Sequence, residues 1–267
     1  MTLSLALLAT LLYAGSGSLL AVRAWRGKPY QPIKKPVIAA GAMALCCHLA
    51  LLLRTLAADG GVTLGLSQSA CAISWVVALL GFIGSIRAPA DKLLIPVYAI
   101  AALSVMTMVL FPSSGEPLTF SGGLGVHILL SLLAYSIMTL GACQAAILAI
   151  QNHQLRKHPT GSLLHSLPPL QTMEQWLFTI VWGGMVLLTL SIASGVVYLD
   201  DLFAQHVAHK SFFSIVAWCV FAVLLWGRHR LGWRGQTAIR WTLAGFCILM
   251  LSYLGSKFVR EMLLQNL

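Results

Sequence analysis

Ionic side chains are scarce in this sequence. Only 9% of its 267 residues are Asp, Glu, Lys or Arg, and 58% are hydrophobic, whereas a soluble domain carries roughly 25% charged residues. A water-soluble protein of this length could not cover its surface with so few ionic groups. The shortage of charge therefore excludes a soluble globular protein and predicts an integral membrane protein.

The apolar residues fall into eight segments, each close to the length of about 20 residues that crosses a bilayer as a helix. Hydrocarbon offers the backbone no hydrogen-bond partner, so segments this long and apolar are expected to be α-helical. We predict an all-α, polytopic protein with a single membrane domain over 1–267, four helices lying in 1–122 and four in 123–267. The predicted spans are 2–22, 37–56, 67–86, 93–111, 123–150, 174–198, 210–227 and 238–258.

The motifs of soluble catalytic and metal sites are also missing. Walker A, GxSxG, HExxH and kinase signatures are absent, and none of the six cysteines forms CxxC. The longest polar connection, 152–173, contains the prolines and glycine of a turn-rich link and is too short to form a domain. We therefore expect no enzyme activity and no disulfide or zinc framework, and we expect the protein to act within its bundle, at its rim or through a partner.

No basic residue precedes the first apolar run, and no clean small-residue cleavage site follows it. Positive charge comes after the run, at Arg23, Arg26 and Lys28. These features favour a retained first helix over a cleaved signal peptide, which is the alternative.

Lys and Arg are unevenly distributed over the connections, and this asymmetry predicts the orientation. With the N-terminus outside, 13 of the 17 basic residues fall on the inner side and five of the seven acids on the outer side. Both termini are therefore predicted to face away from the cytoplasm. The net charge of +10 reflects this topology, and we expect no nucleic-acid partner. The inner basic residues are Arg23, Arg26, Lys28, Lys34, Lys35, Arg87, Lys92, Arg156, Lys157, Arg228, Arg230, Arg234 and Arg240.

Four of these arginines lie in WGRHRLGWRGQTAIRW, residues 226–241, together with three tryptophans. Arginine and tryptophan at a membrane surface interact well with anionic lipid headgroups. The pattern predicts an interfacial anchor, with a specific partner site as the alternative.

Two histidines begin predicted spans at the outer side. His127 opens span five, and its helical face continues through small or weakly polar residues, which favour helix packing. His209 opens span seven at a similar predicted depth. Two such imidazoles could supply both axial nitrogens to one haem iron. The face of span five opposite His127 consists of large aliphatic residues and is expected to contact lipid, although Ser136 falls on it. The packing face of His127 contains Ser131, Ala134, Met138, Gly141, Ala142 and Ala145, and the opposite face contains Leu129, Leu133, Leu140 and Ile147.

A third histidine, His48, lies within span two, about 16 Å above its inner end at 1.5 Å per residue. An ionisable residue near mid-bilayer is costly without a partner and is therefore a candidate functional residue. The alternative is a neutral imidazole that donates one hydrogen bond to a neighbouring carbonyl.

The segment GLGVHILLSLLAYSIMTLGACQAAILAIQ resembles the histidine-led helix of the cytochrome c assembly proteins, the CcsA/CcmC/HemX superfamily. The C-terminal part resembles the same superfamily in its order of helix, outer loop, helix, basic turn and final helix. Its stretch GRHRLGWRG…AIRWTLAGF is most similar to the YpjD-like inner-membrane branch. The resemblance covers roughly 123–260 and implies a bacterial inner-membrane protein that handles haem.

In the haem exporters of that superfamily, two outer histidines ligate haem and a tryptophan-rich WWD loop holds the porphyrin. His127 matches the first histidine. The segment 199–209 contains no tryptophan, the final SKFVREMLL contains no histidine, and His209 lies where the WWD segment would end. These departures put haem delivery to apocytochrome in question.

We therefore predict a protein that binds haem at an outer vestibule through His127 and His209, for cytochrome assembly or haem regulation, with His48 as a second polar site. A neutral imidazole is the ligand, so binding is expected to weaken as the pH falls through about 6.5. One alternative is a cofactor-free, HemX-like regulatory scaffold that docks another membrane or haem-pathway protein. A transporter of an ion or small solute is the remaining alternative. In every case the lipid bilayer is a partner.

Overall fold

A computed structural model of the chain describes residues 2–28, 33–57, 65–87, 91–111, 122–157, 167–198 and 208–255. All regular secondary structure in these residues is helical, which confirms the predicted all-α fold. A 3₁₀ turn, Asp91–Leu93, leads into the fourth helix, and a π-helical turn, Leu251–Gly255, follows the eighth. The α-helices are α1 (Thr2–Trp25), α2 (Lys34–Ala57), α3 (Leu66–Arg87), α4 (Leu94–Leu110), α5 (Gly122–Lys157), α6 (Leu170–Tyr198), α7 (Ala208–Leu231) and α8 (Gln236–Met250).

Seven helices in the described part of the chain are long and apolar enough to cross a membrane. The eighth, α8, has only 15 residues before its π-helical turn, fewer than the roughly 20 that a span needs. The prediction of a polytopic membrane protein is therefore confirmed. The count of eight spans depends on α8 and its extension, and it stays a prediction.

Several helices extend beyond their predicted apolar segments; α6, for example, begins at Leu170 and not at residue 174. The hydropathy pattern ends span five at residue 150 and span seven at 227, but α5 continues to Lys157 and α7 to Leu231. His153 and Arg228 therefore lie in helices, and their placement in loops is wrong. The helices continue because polar side chains at a helix end can reach headgroups and water while the backbone keeps its hydrogen bonds.

The chain divides into two compact units, Met1–Leu118 with Ile150–Leu170 and Thr119–Ala149 with Gln171–Leu267. In the first unit α1 packs against α2 and α4, and α3 packs against the same two helices. All four helices contribute to one hydrophobic cluster, and this unit contains His48. The buried members of the cluster are Ala6, Ala9, Leu51, Leu52, Cys71, Val105 and Met108.

Small side chains let α3 approach its neighbours closely. They recur every three or four residues, at Ser67, Cys71, Ser74, Ala78, Gly81 and Ser85, and all are buried. On this face the Ser74 and Ser104 hydroxyls form a hydrogen bond between α3 and α4. A Cβ on Gly81 would be 3.4 Å from Val97 of α4. Without a hydrophobic driving force between helices in lipid, such close contacts and hydrogen bonds supply the attraction.

Glycines allow similar approaches in the second unit. A Cβ on Gly184 of α6 would lie 2.8 Å from the Met138 side chain of α5, and one on Gly245 of α8 would lie 2.9 Å from Phe221 of α7. The α7 helix also packs against the π-helical turn. These contacts position the histidine face of α5 against α6 and bring the π-helical turn beside α7.

The middle of α5 is buried on nearly every face. The predicted packing face is confirmed, since Ala134, Met138, Gly141, Ala142 and Ala145 are all buried. On the opposite face Leu129 is exposed, but the prediction that Leu140 and Ile147 face lipid is wrong because both are buried. Ser136, placed on the lipid side by the helical pattern, is buried too and donates to the Leu132 carbonyl at 2.7 Å. A helix that is apolar all round is typically surrounded by protein over part of its length.

Candidate functional site

The imidazole of His127 lies in the second turn of α5 and is half-buried against α6. Its Nδ1 is 3.0 Å from the carbonyl oxygen of Ser191 and 3.1 Å from the hydroxyl of Ser194. Both serines are buried, and they lie three residues apart on one face of α6. Two contacts from one neighbouring helix therefore hold this ring nitrogen.

The Ser191 carbonyl fixes the tautomer of His127. A carbonyl oxygen only accepts hydrogen bonds, so Nδ1 must carry the proton and donate it. The Ser194 hydroxyl donates to the same carbonyl at 2.8 Å, which leaves its oxygen lone pairs to accept from Nδ1. In the neutral ring, Nε2 then holds the lone pair.

Within the part of the chain that the structure describes, this Nε2 has only a weak hydrogen-bond partner. Its neighbour is the Ser131 hydroxyl at 3.5 Å, a long distance for a hydrogen bond. The same hydroxyl lies 2.7 Å from the Ser191 hydroxyl, a better partner for it. A histidine whose Nδ1–H is held by a carbonyl while Nε2 is available has the arrangement of a metal-ligating histidine.

A second polar cluster connects α5 to the start of α7. The Tyr135 hydroxyl, two turns along α5 from His127, donates to Ser252 at 3.4 Å. The Ser252 hydroxyl donates to the Lys210 carbonyl at 2.8 Å and is 2.8 Å from the Ser214 hydroxyl. These hydrogen bonds tie the first turns of α7 and the π-helical turn to α5.

His209 is the second residue of α7, directly before Lys210, so its backbone belongs to the segment that the cluster ties to α5. Its side chain lies outside the described residues. A shared iron between His127 and His209 therefore stays a prediction.

In the first unit His48 is completely buried and both of its ring nitrogens have partners. Nδ1 is 3.4 Å from the Tyr13 hydroxyl of α1, and Nε2 is 3.0 Å from the Cys71 thiol of α3. The Tyr13 ring packs against Tyr98 of α4 in a tilted arrangement, with centroids 5.1 Å apart. A backbone hydrogen bond with Cys71 is consistent with the alternative of a neutral imidazole bonded to a neighbouring carbonyl. The phenol and the thiol are additional partners, and through them His48 links three helices.

The residues around both histidines were not predicted as partners. The only sequence signal for Ser191 and Ser194 is their spacing of three in an otherwise apolar helix. Tyr13 and Cys71 belong to segments far from His48 in sequence, and the cysteines were interpreted as small packing residues. All six cysteines are free thiols, and Cys71 is both a packing residue and a hydrogen-bond partner.

The donor set around His127 fits haem better than a metal held by protein alone. Among the described residues, no three His, Cys, Asp or Glu side chains form a group that could hold a metal ion. A structural zinc site needs about four such donors. In haem the porphyrin binds the iron, and the protein supplies only axial ligands. Supplying one ligand to iron requires a single imidazole nitrogen. His127 offers Nε2 for this, while the Ser191 carbonyl holds Nδ1.

Comparison with known proteins identifies the family. The profile described as "Cytochrome C assembly protein" matches residues 37–264. The chain is 34% identical over 233 residues to "Inner membrane protein YpjD" of Escherichia coli K12, covering 86% of this chain and 88% of that protein. It is 24% identical over 190 residues to "Cytochrome c biogenesis protein CcsA" of Chlamydomonas reinhardtii, covering 70% and 52% of the two chains. It is 23% identical over 131 residues to "Protein HemX" of Brevibacillus brevis, covering 48% of each.

No solved structure matches the chain. The apolar helices and the likeness to an inner membrane protein show that it is a multi-pass protein of the inner membrane. The chain belongs to the cytochrome c assembly protein family.

Proposed function

We propose that this protein binds haem in its second unit, with His127 Nε2 as an axial ligand, and serves cytochrome assembly or haem regulation without being an enzyme. The observation that carries the proposal is the fixed tautomer of His127. Its Nδ1–H is held by the Ser191 carbonyl at 3.0 Å, and among the described residues the one partner of Nε2 is the Ser131 hydroxyl at 3.5 Å. The family, and the relative named as a cytochrome c biogenesis protein, support a role in handling haem.

Each residue has a defined task in this proposal. His127 provides a nitrogen lone pair, while Ser191 and Ser194 orient the ring and keep the proton on Nδ1. His209, in the segment tied to α5 through Lys210 and Ser252, is the proposed second ligand. Bound haem would supply an iron that a histidine nitrogen can ligate and that can change oxidation state.

His48 has a weaker claim to the cofactor. Tyr13 and Cys71 engage both of its nitrogens, so ligation would require breaking one of these hydrogen bonds. Its predicted role as a second polar site is kept as a prediction. The observed contacts favour a structural link between helices.

The topology that we propose has eight spans with both ends of the chain facing away from the cytoplasm. The eighth span is formed by α8 together with its π-helical turn. This orientation places the arginines at the α7–α8 connection on the cytoplasmic side, as the distribution of positive charge favours. His127 then lies near the extracytoplasmic surface.

A visible spectrum tests the proposal directly. The full chain is purified in mild detergent after haem-replete expression, and a Soret band with one iron per chain is expected. The band should be lost in His127→Ala and weakened in His209→Ala. It should be kept in His153→Ala, which removes an exposed histidine from the same helix α5. A colourless wild-type protein would contradict the proposal.

The second candidate is a cofactor-free regulatory scaffold that docks a membrane or haem-pathway protein. The segment 199–209 contains no tryptophan and the segment SKFVREMLL, 256–264, contains no histidine. Both departures favour the scaffold, since the haem exporters that the chain resembles use these two features. Affinity purification separates the two candidates. A stoichiometric protein partner with no chromophore supports the scaffold.

A further inference from the structure

The last turns of α7, the connection 232–235 and the first turns of α8 form a well-packed turn, residues 226–241, that we name the arginine turn. Gly232 and Gly235 have positive φ values of 66° and 59°, a region that side-chain-bearing residues rarely adopt. The Trp233 amide donates to the Gly227 carbonyl at 3.2 Å. A Cβ on Gly227 would lie only 2.5 Å from the Trp233 ring, so only glycine fits at this position. The Trp233 ring packs against the Trp241 ring, with centroids 5.2 Å apart.

Two charged side chains, Arg228 and Glu174, bind backbone groups of the turn and stabilise its conformation. Arg228 Nη1 donates to the Trp233 carbonyl at 3.1 Å, and its guanidinium lies 4.6 Å from the centre of the Phe178 ring of α6. The carboxylate of Glu174, also on α6, accepts from the Gly235 amide at 2.6 Å. Arg228 and Glu174 are therefore used in holding the turn in shape.

Three further arginines of the turn are exposed: Arg230, Arg234 and Arg240. None of them pairs with an acidic side chain among the described residues. Arg234 follows Trp233 and Arg240 precedes Trp241, and the rings of these two tryptophans pack against each other with centroids 5.2 Å apart. The two arginines therefore belong to the same packed turn. The turn thus carries three exposed arginines that form no ion pair with the described residues, while the nearby Glu174 carboxylate binds the Gly235 amide.

Exposed apolar side chains surround this charge. Trp226 and Leu231 are each 58% exposed in the last turns of α7, a helix that is long and apolar enough to cross a membrane. Tryptophan at the end of such a helix lies at the level of the lipid headgroups. A ligand for this surface must therefore be anionic at one end and apolar at the other.

From this combination we propose that the arginine turn is a binding site for acidic glycerophospholipid. Arg230, Arg234 and Arg240 engage the phosphodiester and the additional negative charge of the headgroup, since guanidinium groups match phosphate oxygens well. The side chains of Trp226 and Leu231 contact the glycerol and upper acyl region. Because Arg228 and Glu174 fix the turn, the site is formed before lipid binds. This site is separate from the proposed haem ligand and does not depend on it.

Native mass spectrometry of the full chain in mild detergent tests the site. The protein is titrated with phosphatidylglycerol and, separately, with phosphatidylcholine. We expect preferential retention of phosphatidylglycerol by the wild type. Each arginine neutralised should lower its affinity about fivefold, and the triple variant R230Q/R234Q/R240Q should lose the preference altogether.

The matched control is R26Q/K28Q/K35Q, which removes three exposed cations of the α1–α2 connection and so changes the net charge equally. It should keep the preference, and inorganic phosphate at millimolar concentration should not displace the lipid. Equal loss in the two triple variants, equal retention of both lipids by the wild type, or displacement by inorganic phosphate would each overturn the proposal. If the triple variant does not fold, the single variants R230Q and R234Q decide, because unchanged affinity in both overturns it.

Discussion

Two histidines of this protein have opposite surroundings. His48 in the first unit is wholly buried, and both ring nitrogens have side-chain partners that can each donate or accept. His127 in the second unit is half-buried. One ring nitrogen is fixed as a donor by a backbone carbonyl, while the other has only a hydroxyl at 3.5 Å as a partner among the described residues. A histidine in a membrane helix is therefore a candidate metal ligand when its hydrogen-bond partners leave one ring nitrogen available for ligation. Burial alone does not make it one.

The largest expected effect is the loss of haem from His127→Ala. Removing an outer-shell partner of a metal ligand already costs about 10- to 100-fold in affinity, so removing the ligand itself should cost more than about 100-fold. Haem titration followed at the Soret band measures this. If His127→Ala bound haem as tightly as the control His153→Ala does, His127 would not be a haem ligand.

The next effect is a loss of stability in His48→Ala, with haem binding unchanged. The substitution leaves a cavity and takes a hydrogen-bond partner from both Tyr13 and Cys71. Such changes cost roughly 2–4 kcal/mol, measurable as the free energy of unfolding in detergent. The exposed His229→Ala is the control. Loss of the Soret band from His48→Ala would show that His48 is a ligand after all.

A smaller loss is expected from Gly41→Ala, which tests how tightly the surroundings of His48 are packed. The added methyl would overlap the Tyr98 hydroxyl and lie 3.2 Å from the Phe82 ring. Overpacking of this kind costs about 1–3 kcal/mol. Gly84→Ala, on α3, meets nothing within 4 Å and serves as the matched control. Equal stability of the two variants would mean that Tyr98 moves aside freely.

The smallest effect is expected from Ser194→Ala. The Ser191 carbonyl still holds Nδ1, so only one of two acceptors for that proton is lost. A hydrogen bond of this kind contributes about 0.5–1.5 kcal/mol, which corresponds to a two- to tenfold weaker binding of haem. The same Soret titration measures it, alongside the haem reduction potential. A loss as large as that of His127→Ala would assign Ser194 a ligand-like role.

Several features of the fold could be predicted from sequence because lipid imposes strict rules on composition. Long apolar segments must be helices in a bilayer, and the packing face of α5 followed from its small residues Ala134, Gly141 and Ala145. The exposure of Leu140 and Ile147 was predicted wrongly. Hydrophobicity does not distinguish contact with lipid from contact with protein, since both surroundings are apolar.

The hydrogen-bond partners of the histidines could not be predicted, because they come from distant segments of the chain. Ser191 is 64 residues from His127, and Cys71 is 23 residues from His48. A serine in an apolar helix can bond its own backbone or a neighbouring helix. Only the crossing of the helices decides between these outcomes.

A shortage of charge and long apolar segments were enough to predict an all-α, polytopic membrane protein, because such segments can cross lipid only as helices. The positions of His48, His127 and His209 in or beside these segments were enough to make them candidate site residues. Tertiary structure decided which nitrogen of His127 carries the proton, that His48 is engaged on both sides, and that Arg228 differs in role from its neighbouring arginines. These properties depend on atoms a few ångströms apart that belong to different helices. Because hydrogen bonds act only over about 3 Å, these properties cannot be predicted until the packing of the helices is known.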